Sequence, residues 1–277
     1  MQAEFTVGKT GIRGSRMSTY LKKSIEQYRS SLTKQEKTLR IYVVIFGELF
    51  SLLTLLRLFL NGEYIIHLLM AIGTCFLILL PIAVEIVFRS RMHTALYIAA
   101  ELYAIGPMLG ECYKLYYTTV WWDKLLHAFG GFAFALFGVF LLRLLCENEP
   151  KRIASAVFAL CFSISISVIW EFVEYSGDNL FGMDMQNDTI VHEIHSYYLG
   201  NSLDIPGDIT SIDSVTVNGV ALPFDGYLDI GLHDTMRDML IETFGAVAAV
   251  VLFSACKGKN QLFISFTKEL EGQNCNG

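Results

Sequence analysis

Six long apolar runs limit what this chain can fold into. They cover about residues 41–60, 65–88, 94–116, 123–146, 152–175 and 234–256. An α-helix needs about 20 apolar residues to cross the roughly 30 Å hydrocarbon core of a bilayer. The whole chain is 53% apolar and only 17% charged, which excludes an ordinary soluble domain. We therefore predict an all-α integral membrane protein built as a six-helix transmembrane bundle.

The placement of Lys and Arg predicts the orientation of the bundle. Nine of these residues precede Tyr42, and most of the others fall after the second, fourth and sixth runs. Short segments rich in Lys and Arg stay on the cytoplasmic side of a membrane. We therefore expect both termini to be cytoplasmic in a multi-pass protein.

The sequence divides into three parts on this interpretation. Residues 1–40 form a basic cytoplasmic N-terminal segment, residues 41–256 form the transmembrane domain, and residues 257–277 form a cytoplasmic tail. The start of the sequence has no apolar core followed by a cleavage site, so it does not predict a signal peptide. Residues 1–16 are expected to be disordered or to precede the natural start at Met17.

A long outer loop, residues 176–233, separates the last two apolar runs. It contains nine acidic residues and no Lys or Arg. Its length is well beyond that of an ordinary connection, which favours a folded cap, although a solvated acidic loop is the simpler alternative. Within it, branched residues alternate around Asn218 and Gly219, a pattern typical of a small β-hairpin.

Three motifs place ionisable residues at the outer ends of the last three runs. WWDKLLH opens the fourth run, WEFVEY closes the fifth and HDTMRDMLIE opens the sixth. Each pair of ionisable residues is three or four positions apart and therefore shares a helix face. The pairs are Asp123 and His127, Glu171 and Glu174, and Asp234 and Asp238. Because such groups are costly inside a membrane, we expect them to meet in the bundle interior.

Basic residues map to the same outer layer, and they leave two interpretations open. Arg57, Lys124 and Arg237 are the cations concerned. In the first interpretation they neutralise the acids in a buried salt-bridge network that holds the helices together. In the second, the acids and the histidine bind a divalent metal while the cations bind an anionic substrate.

A carboxylate-rich set with one histidine is typical of Mg, Mn, Ca or Zn. We predict metal ligation by Asp123, His127, Glu171 and Asp238, and proton transfer by Glu174 and Asp234 as catalytic residues. Small residues that follow His127 and Asp238, among them Gly131 and Gly245, let membrane helices approach closely.

These motifs, with FGMDMQ and the continuation ETFGA, carry a resemblance that covers roughly residues 94–256. The chain resembles the YjdF-type bacterial membrane-spanning proteins, a family with no settled activity, and more distantly the VanZ-like teicoplanin-resistance proteins. The resemblance implies the bacterial cytoplasmic membrane and the cell envelope. In VanZ-like proteins an acid and a histidine match Asp123 and His127, a glutamate lies near Glu171 or Glu174, and an aspartate lies near Asp238. The outer loop of this chain is much longer than theirs.

Three functions remain open at this point. The first is a protein with an outer-leaflet polar, metal-binding site that binds or acts on a lipid or lipid-linked phosphate headgroup, as a hydrolase or transferase if it is an enzyme. The second is a transporter or ion-conducting protein in which Glu48 and Glu101 continue a path inward. The third is a structural membrane partner held by salt bridges. No motif indicates nucleic-acid binding, and the oligomeric state stays open.

Overall fold

The computed structural model describes residues 9–146, 148, 150–202, 204–255 and 263–265. Most of the predicted tail and the first eight residues lie outside this part of the chain. The chain divides into two compact units, residues 1–126 with 255–277, and residues 127–254. The helices are α1 (Lys9–Ser31), α2 (Lys34–Leu60), α3 (Ile65–Val87), α4 (Thr94–Cys112), α5 (Leu115–Thr118), α6 (Trp122–Leu145), α7 (Arg152–Phe181) and α8 (Leu232–Ala255).

The long helices fall where the apolar runs predict them. Among the described residues, five helices are long and apolar enough to cross a membrane, namely α2, α3, α6, α7 and α8. The third apolar run forms α4, a 19-residue helix that carries Glu101, Pro107 and Glu111 and is not among these five. The helical, apolar architecture is therefore confirmed, with five candidate spans where six were predicted.

Two helix ends differ from the sequence prediction. Helix α1 begins at Lys9, so part of the stretch that was expected to be disordered is helical. Once a helix is nucleated, each added residue gains a backbone hydrogen bond, which extends the helix toward the terminus. Helix α7 continues to Phe181 and ends at Gly182, whose left-handed conformation (φ 62°) stops it. Asp178 therefore lies within the helix and not beyond it.

The first unit has an apolar core and a buried ion pair. Leu58, Ile78 and Met108 belong to the apolar cluster between α2, α3 and α4. Arg40 on α2 pairs with Glu85 on α3, and both side chains are almost fully buried. The Arg40 guanidinium also donates to the Met92 carbonyl oxygen at 2.8 Å. These bonds compensate the cost of burying both charges.

Three helices of the second unit pack closely through small residues. A methyl group added at Gly131 on α6 would collide with the carbonyl oxygen of Glu242 on α8. At Gly245 on α8 it would collide with the carbonyl oxygen of Ala128 on α6. The Ser163 hydroxyl of α7 donates to the Gly131 carbonyl oxygen at 3.0 Å. The predicted close approach of the helices that carry His127 and Asp238 is therefore confirmed.

The connection between α7 and α8, residues 182–231, contains three antiparallel strand pairs. The strands are β2 (Thr189–Val191), β3 (Ile194–Ser196), β4 (Gly207–Ile209), β5 (Thr216–Val217), β6 (Val220–Ala221) and β7 (Tyr227–Asp229), and they pair β2 with β7, β3 with β4 and β5 with β6. A further pair joins β1 (Ser90–Met92) to β8 (Phe263–Ser265) in the first unit. Asn218 (φ 53°) and Gly219 (φ 82°) form the turn of the predicted hairpin. The connection is thus folded, as a cap requires.

Residues 182–188, at the start of this connection, are tied to the two adjacent helices. The Asp178 carboxylate on α7 accepts hydrogen bonds from the backbone N–H groups of Met185 at 2.6 Å and Gln186 at 2.9 Å. The Asp234 carboxylate on α8 accepts from the backbone N–H of Asn187 at 2.9 Å. FGMDMQ therefore supplies the two backbone donors to Asp178, and the next residue, Asn187, supplies the donor to Asp234.

Alanine at Gly131 should destabilise the second unit by about 1–3 kcal/mol, because its Cβ would separate α6 from α8. The measurement is the thermal unfolding midpoint of the detergent-solubilised protein. Gly73→Ala is the matched control, since its Cβ on α3 would meet no atom within 4 Å. A gain of up to about 1 kcal/mol is expected there from the better helix propensity of Ala. Equal behaviour of the two variants would contradict the close approach.

Asp178→Ala should release residues 182–188, because two backbone donors lose a charged acceptor. The hydrogen exchange of the Met185 and Gln186 amides, followed by mass spectrometry, should become faster. Each lost bond corresponds to about 1.5–3 kcal/mol of protection. The exposed Asp188, changed to Ala, is the control and should leave this exchange unaltered.

Candidate functional site

Helix α8 turns three acids toward the interior of the second unit. Asp234, Asp238 and Glu242 are spaced by four residues and share one face of the helix. Their side chains are buried, with Asp238 only 1% exposed. Ala246 and Ala249 continue the same face below them. The polar residues on the buried face of α8 are therefore confined to the first half of the helix.

Helix α7 presents a second set of polar residues. Its buried face carries Ser163, Ser167, Glu171 and Glu174. The Trp170 indole N–H donates to Glu174 at 2.8 Å. The indole therefore satisfies one oxygen of that carboxylate and fixes its position.

Glu171 differs from Glu174 in its surroundings. The side chain is 4% exposed, and neither carboxylate oxygen has a hydrogen-bond partner among the residues that the structure describes. Its surroundings include the Thr235 side chain and the charges of His127, Asp234 and Glu242. Burying a carboxylate is costly, and a proton or a bound cation would offset that cost.

His127 on α6 lies between two acids of α8. Its Nε2 is 3.7 Å from Oδ2 of Asp238, and its Nδ1 is 3.6 Å from Oε2 of Glu242. Both separations are longer than a hydrogen bond between these atoms. Two ligand atoms on one divalent ion are about 3–4 Å apart, given metal–ligand bonds of about 2.0–2.4 Å. Because the two ring nitrogens point to opposite sides of the imidazole, His127 could share one cation with either Asp238 or Glu242, but not with both.

Asp123 lies one turn before His127 on the same helix and forms an ion pair with its neighbour Lys124 at 3.0 Å. One ligand atom from each of Asp123, His127 and Asp238 lies within 4.8 Å of the other two. The structure therefore brings together three of the four residues that were predicted as metal ligands. The fourth, Glu171, lies in the same buried set of acids.

The start of the connection adds negative charge near Asp234. The pKa of Asp184 is raised by partial desolvation and then by repulsion from Asp188, Asp178 and Asp234. The local potential is therefore negative and attracts cations. Asn187 holds Asp234 through its backbone N–H and, at 3.3 Å, through its side-chain amide.

The cations that were predicted to accompany the acids have separate surroundings. Arg237 is exposed on α8 and makes no hydrogen bond or ion pair with a residue in the described part of the chain. Arg57, in the first unit, donates to the Cys112 carbonyl oxygen at 2.8 Å and stacks on Tyr113. Within the described part of the chain, the structure therefore shows no salt bridge between Arg237 and the buried acids.

Sequence reasoning missed Glu242 as a site residue. It lies four positions after Asp238, and Asp234 lies four positions before it, so the repeat of four was the available signal. The motif HDTMRDMLIE includes Glu242, but the pair Asp234 and Asp238 does not extend to it. The sequence does not show that the carboxylate of Glu242 faces His127.

Residues 42–259 match the family described as "Predicted membrane protein (DUF2238)". No curated protein matches the chain significantly, and no solved structure does. The match spans well over half of the chain and includes α6, α7 and α8, whose buried acids and histidine form the candidate site. The protein therefore belongs to the DUF2238 family of predicted membrane proteins.

Proposed function

We propose that α6, α7 and α8 bind a divalent cation through Asp123, one ring nitrogen of His127 and Asp238, with Glu171 completing the site. One observation carries the proposal: one ligand atom from each of Asp123, His127 and Asp238 lies within 4.8 Å of the other two. An ion between these atoms converts mutual repulsion of the acids into coordination. Mn, Zn, Mg and Ca are the metals that such ligands accept.

Charge balance supports this proposal. Five carboxylates of the second unit are buried, namely Glu171, Glu174, Asp234, Asp238 and Glu242. His127 supplies at most one positive charge, and Arg237 is exposed. Mutual repulsion among these buried acids raises the free energy of the folded state, and a bound divalent ion would reduce it.

We further propose that the site acts on or binds a lipid or lipid-linked phosphate headgroup. A metal at this position would polarise a phosphoryl oxygen or activate a water molecule. Glu174 and Asp234 lie one helical turn from Glu171 and Asp238, respectively, and would hold or move protons. Arg237 is one residue before Asp238 and exposed, so its guanidinium is free to bind a phosphate. Lys124 and Arg57 are further candidates for phosphate contacts.

The proposed setting is the bacterial cytoplasmic membrane, with both termini inside and the site at the outer leaflet. The distribution of Lys and Arg supports this orientation. The resemblance to YjdF-type and VanZ-like proteins supports the bacterial envelope as the location.

Metal binding is tested with the purified full chain in detergent after treatment with a chelator. Mn²⁺ alone is the probe, and electron paramagnetic resonance measures the free ion. We expect about one tightly bound Mn²⁺ per chain. His127→Ala, Asp123→Asn and Asp238→Asn should each weaken binding by about tenfold or more, because each removes one ligand.

Arg237→Gln is the matched control for metal binding, since it changes a charge on the same helix without removing a carboxylate or imidazole. It should retain Mn²⁺ binding at the wild-type level or slightly tighter. Circular dichroism establishes that every variant is folded. A wild-type protein that takes up no more Mn²⁺, Zn²⁺, Mg²⁺ or Ca²⁺ than His127→Ala does would refute the proposal.

Phosphate recognition is tested separately with metal-loaded protein and vesicles that contain phosphatidic acid. Arg237→Gln should weaken association with these vesicles by about tenfold, because a charge-assisted hydrogen bond is lost. Neutral phosphatidylcholine vesicles are the reference surface. If the variant and the wild type associate equally with phosphatidic acid, Arg237 does not bind the phosphate. The metal site is tested independently by the Mn²⁺ measurement.

A further inference from the structure

A second buried acid lies in the first unit, remote in sequence from the proposed metal ligands. Glu101, on α4, is only 1% exposed. Tyr97, one turn earlier on the same helix, is fully buried. The two side chains therefore share one face of α4, and this face turns toward the interior of the first unit.

The geometry of the described residues gives no hydrogen bond to either oxygen of Glu101 or to the Tyr97 hydroxyl. The two groups are nevertheless close enough to interact with each other. Arg40 is the cation whose charge acts on Glu101, but its guanidinium is bound to Glu85 and to the Met92 carbonyl oxygen. Its planar face lies over the Tyr97 ring, with 4.2 Å between Cζ and the ring centroid. Arg40 is therefore already compensated by other groups.

The other ionisable groups around Glu101 do not favour a negative charge there. Helix α2 contributes Glu48 as well as Arg40, and α3 contributes Glu85. Glu48 in turn faces the Cys75 thiol on α3, and Tyr28 of α1 faces Glu85 and Tyr97. Glu48 and Glu85 repel an ionised Glu101, and neutral tyrosine and thiol groups give little compensation. A carboxylate in this position would thus be buried beside two like charges.

A neutral carboxylic acid avoids most of this cost. Burying an ionised carboxylate without a partner requires many kcal/mol, and in practice such a group takes up a proton. The Tyr97 hydroxyl can donate to the ionised form and accept from the acid form, so a hydrogen bond between the two side chains is open to both. The bound proton therefore acts by removing the buried charge.

We propose that Glu101 is a proton-binding site of the first unit, distinct from the metal site of the second. The carboxylate takes a proton from hydronium or water and forms an O–H bond at one of its oxygens. It returns the same proton to water when an opening of the helices admits solvent. The ligand of this site is the proton itself, and no metal or organic group is needed.

Infrared difference spectroscopy of the full chain in detergent tests the proposal directly. At neutral pH the wild type should show the carbonyl stretching band of a buried carboxylic acid. Glu101→Gln should lose this band, and Glu101→Asp should keep an acid band at a shifted position. Glu48→Gln, the matched control on α2, should retain the Glu101 band. The absence of any difference between the wild type and Glu101→Gln at neutral pH would overturn the proposal.

The pH dependence of stability gives an independent measurement. A site that binds a proton more tightly in the folded than in the unfolded state loses stability as the pH rises. The unfolding midpoint of the wild type should therefore fall toward alkaline pH more steeply than that of Glu101→Gln. The variant should be at least as stable as the wild type at high pH. A variant that is less stable at every pH would show that Glu101 is an ionised, paired group and would refute the proposal.

The outcome remains decisive if Glu101→Gln does not fold. In that case the acid band of the wild type is titrated and compared with that of Glu101→Asp. A band that moves with this substitution supports the proposal, and an unchanged band contradicts it. None of the substitutions touches a proposed metal ligand, so failure here leaves the Mn²⁺ result unaffected, and the reverse also holds.

Discussion

The cost of removing carboxylates from water governs the interior of this protein. Each unit buries acids between apolar helices, where an uncompensated charge costs several kcal/mol. In the first unit, Arg40 offsets this cost at Glu85, because its guanidinium supplies both a positive charge and hydrogen bonds. The second unit contains five buried carboxylates, and two of them, Asp238 and Glu242, face His127. A bound ion or protons would reduce the repulsion among these acids.

Close helix packing fixes the geometry of the buried polar residues in the second unit. Gly131 and Gly245 let the backbones of α6 and α8 touch, so His127 is held against the acids of α8. Larger side chains would separate the helices and lengthen every distance at the site. Small residues are thus a requirement for the site as well as for packing. The bonds from residues 185–187 to Asp178 and Asp234 then fix the connection to the ends of α7 and α8.

Sequence alone predicts those features that depend on neighbouring residues. The apolar runs predict the long helices, Asn218 and Gly219 predict the hairpin, and the spacing of four predicts which acids share a face. Contacts between helices are beyond such reasoning, because they depend on the rotation of each helix about its axis. The pairing of Glu242 with His127 and the binding of Arg57 to the end of α4 are of this kind. The helical start at Lys9 was missed because a polar, glycine-containing stretch lacks the apolar pattern on which the prediction relied.

The donor set narrows the choice of ion. Calcium, magnesium and manganese prefer oxygen ligands, whereas an imidazole is a favourable ligand for zinc. A tetrahedral zinc uses four ligands, fewer than the buried acids and the histidine together provide. Ligation by Asp123, His127 and Asp238 would leave Glu174, which is held by Trp170, and Asp234, which is held by Asn187, outside the first coordination sphere. Groups fixed beside a metal but not bound to it would be suited to proton transfer, as the proposed reactive site requires.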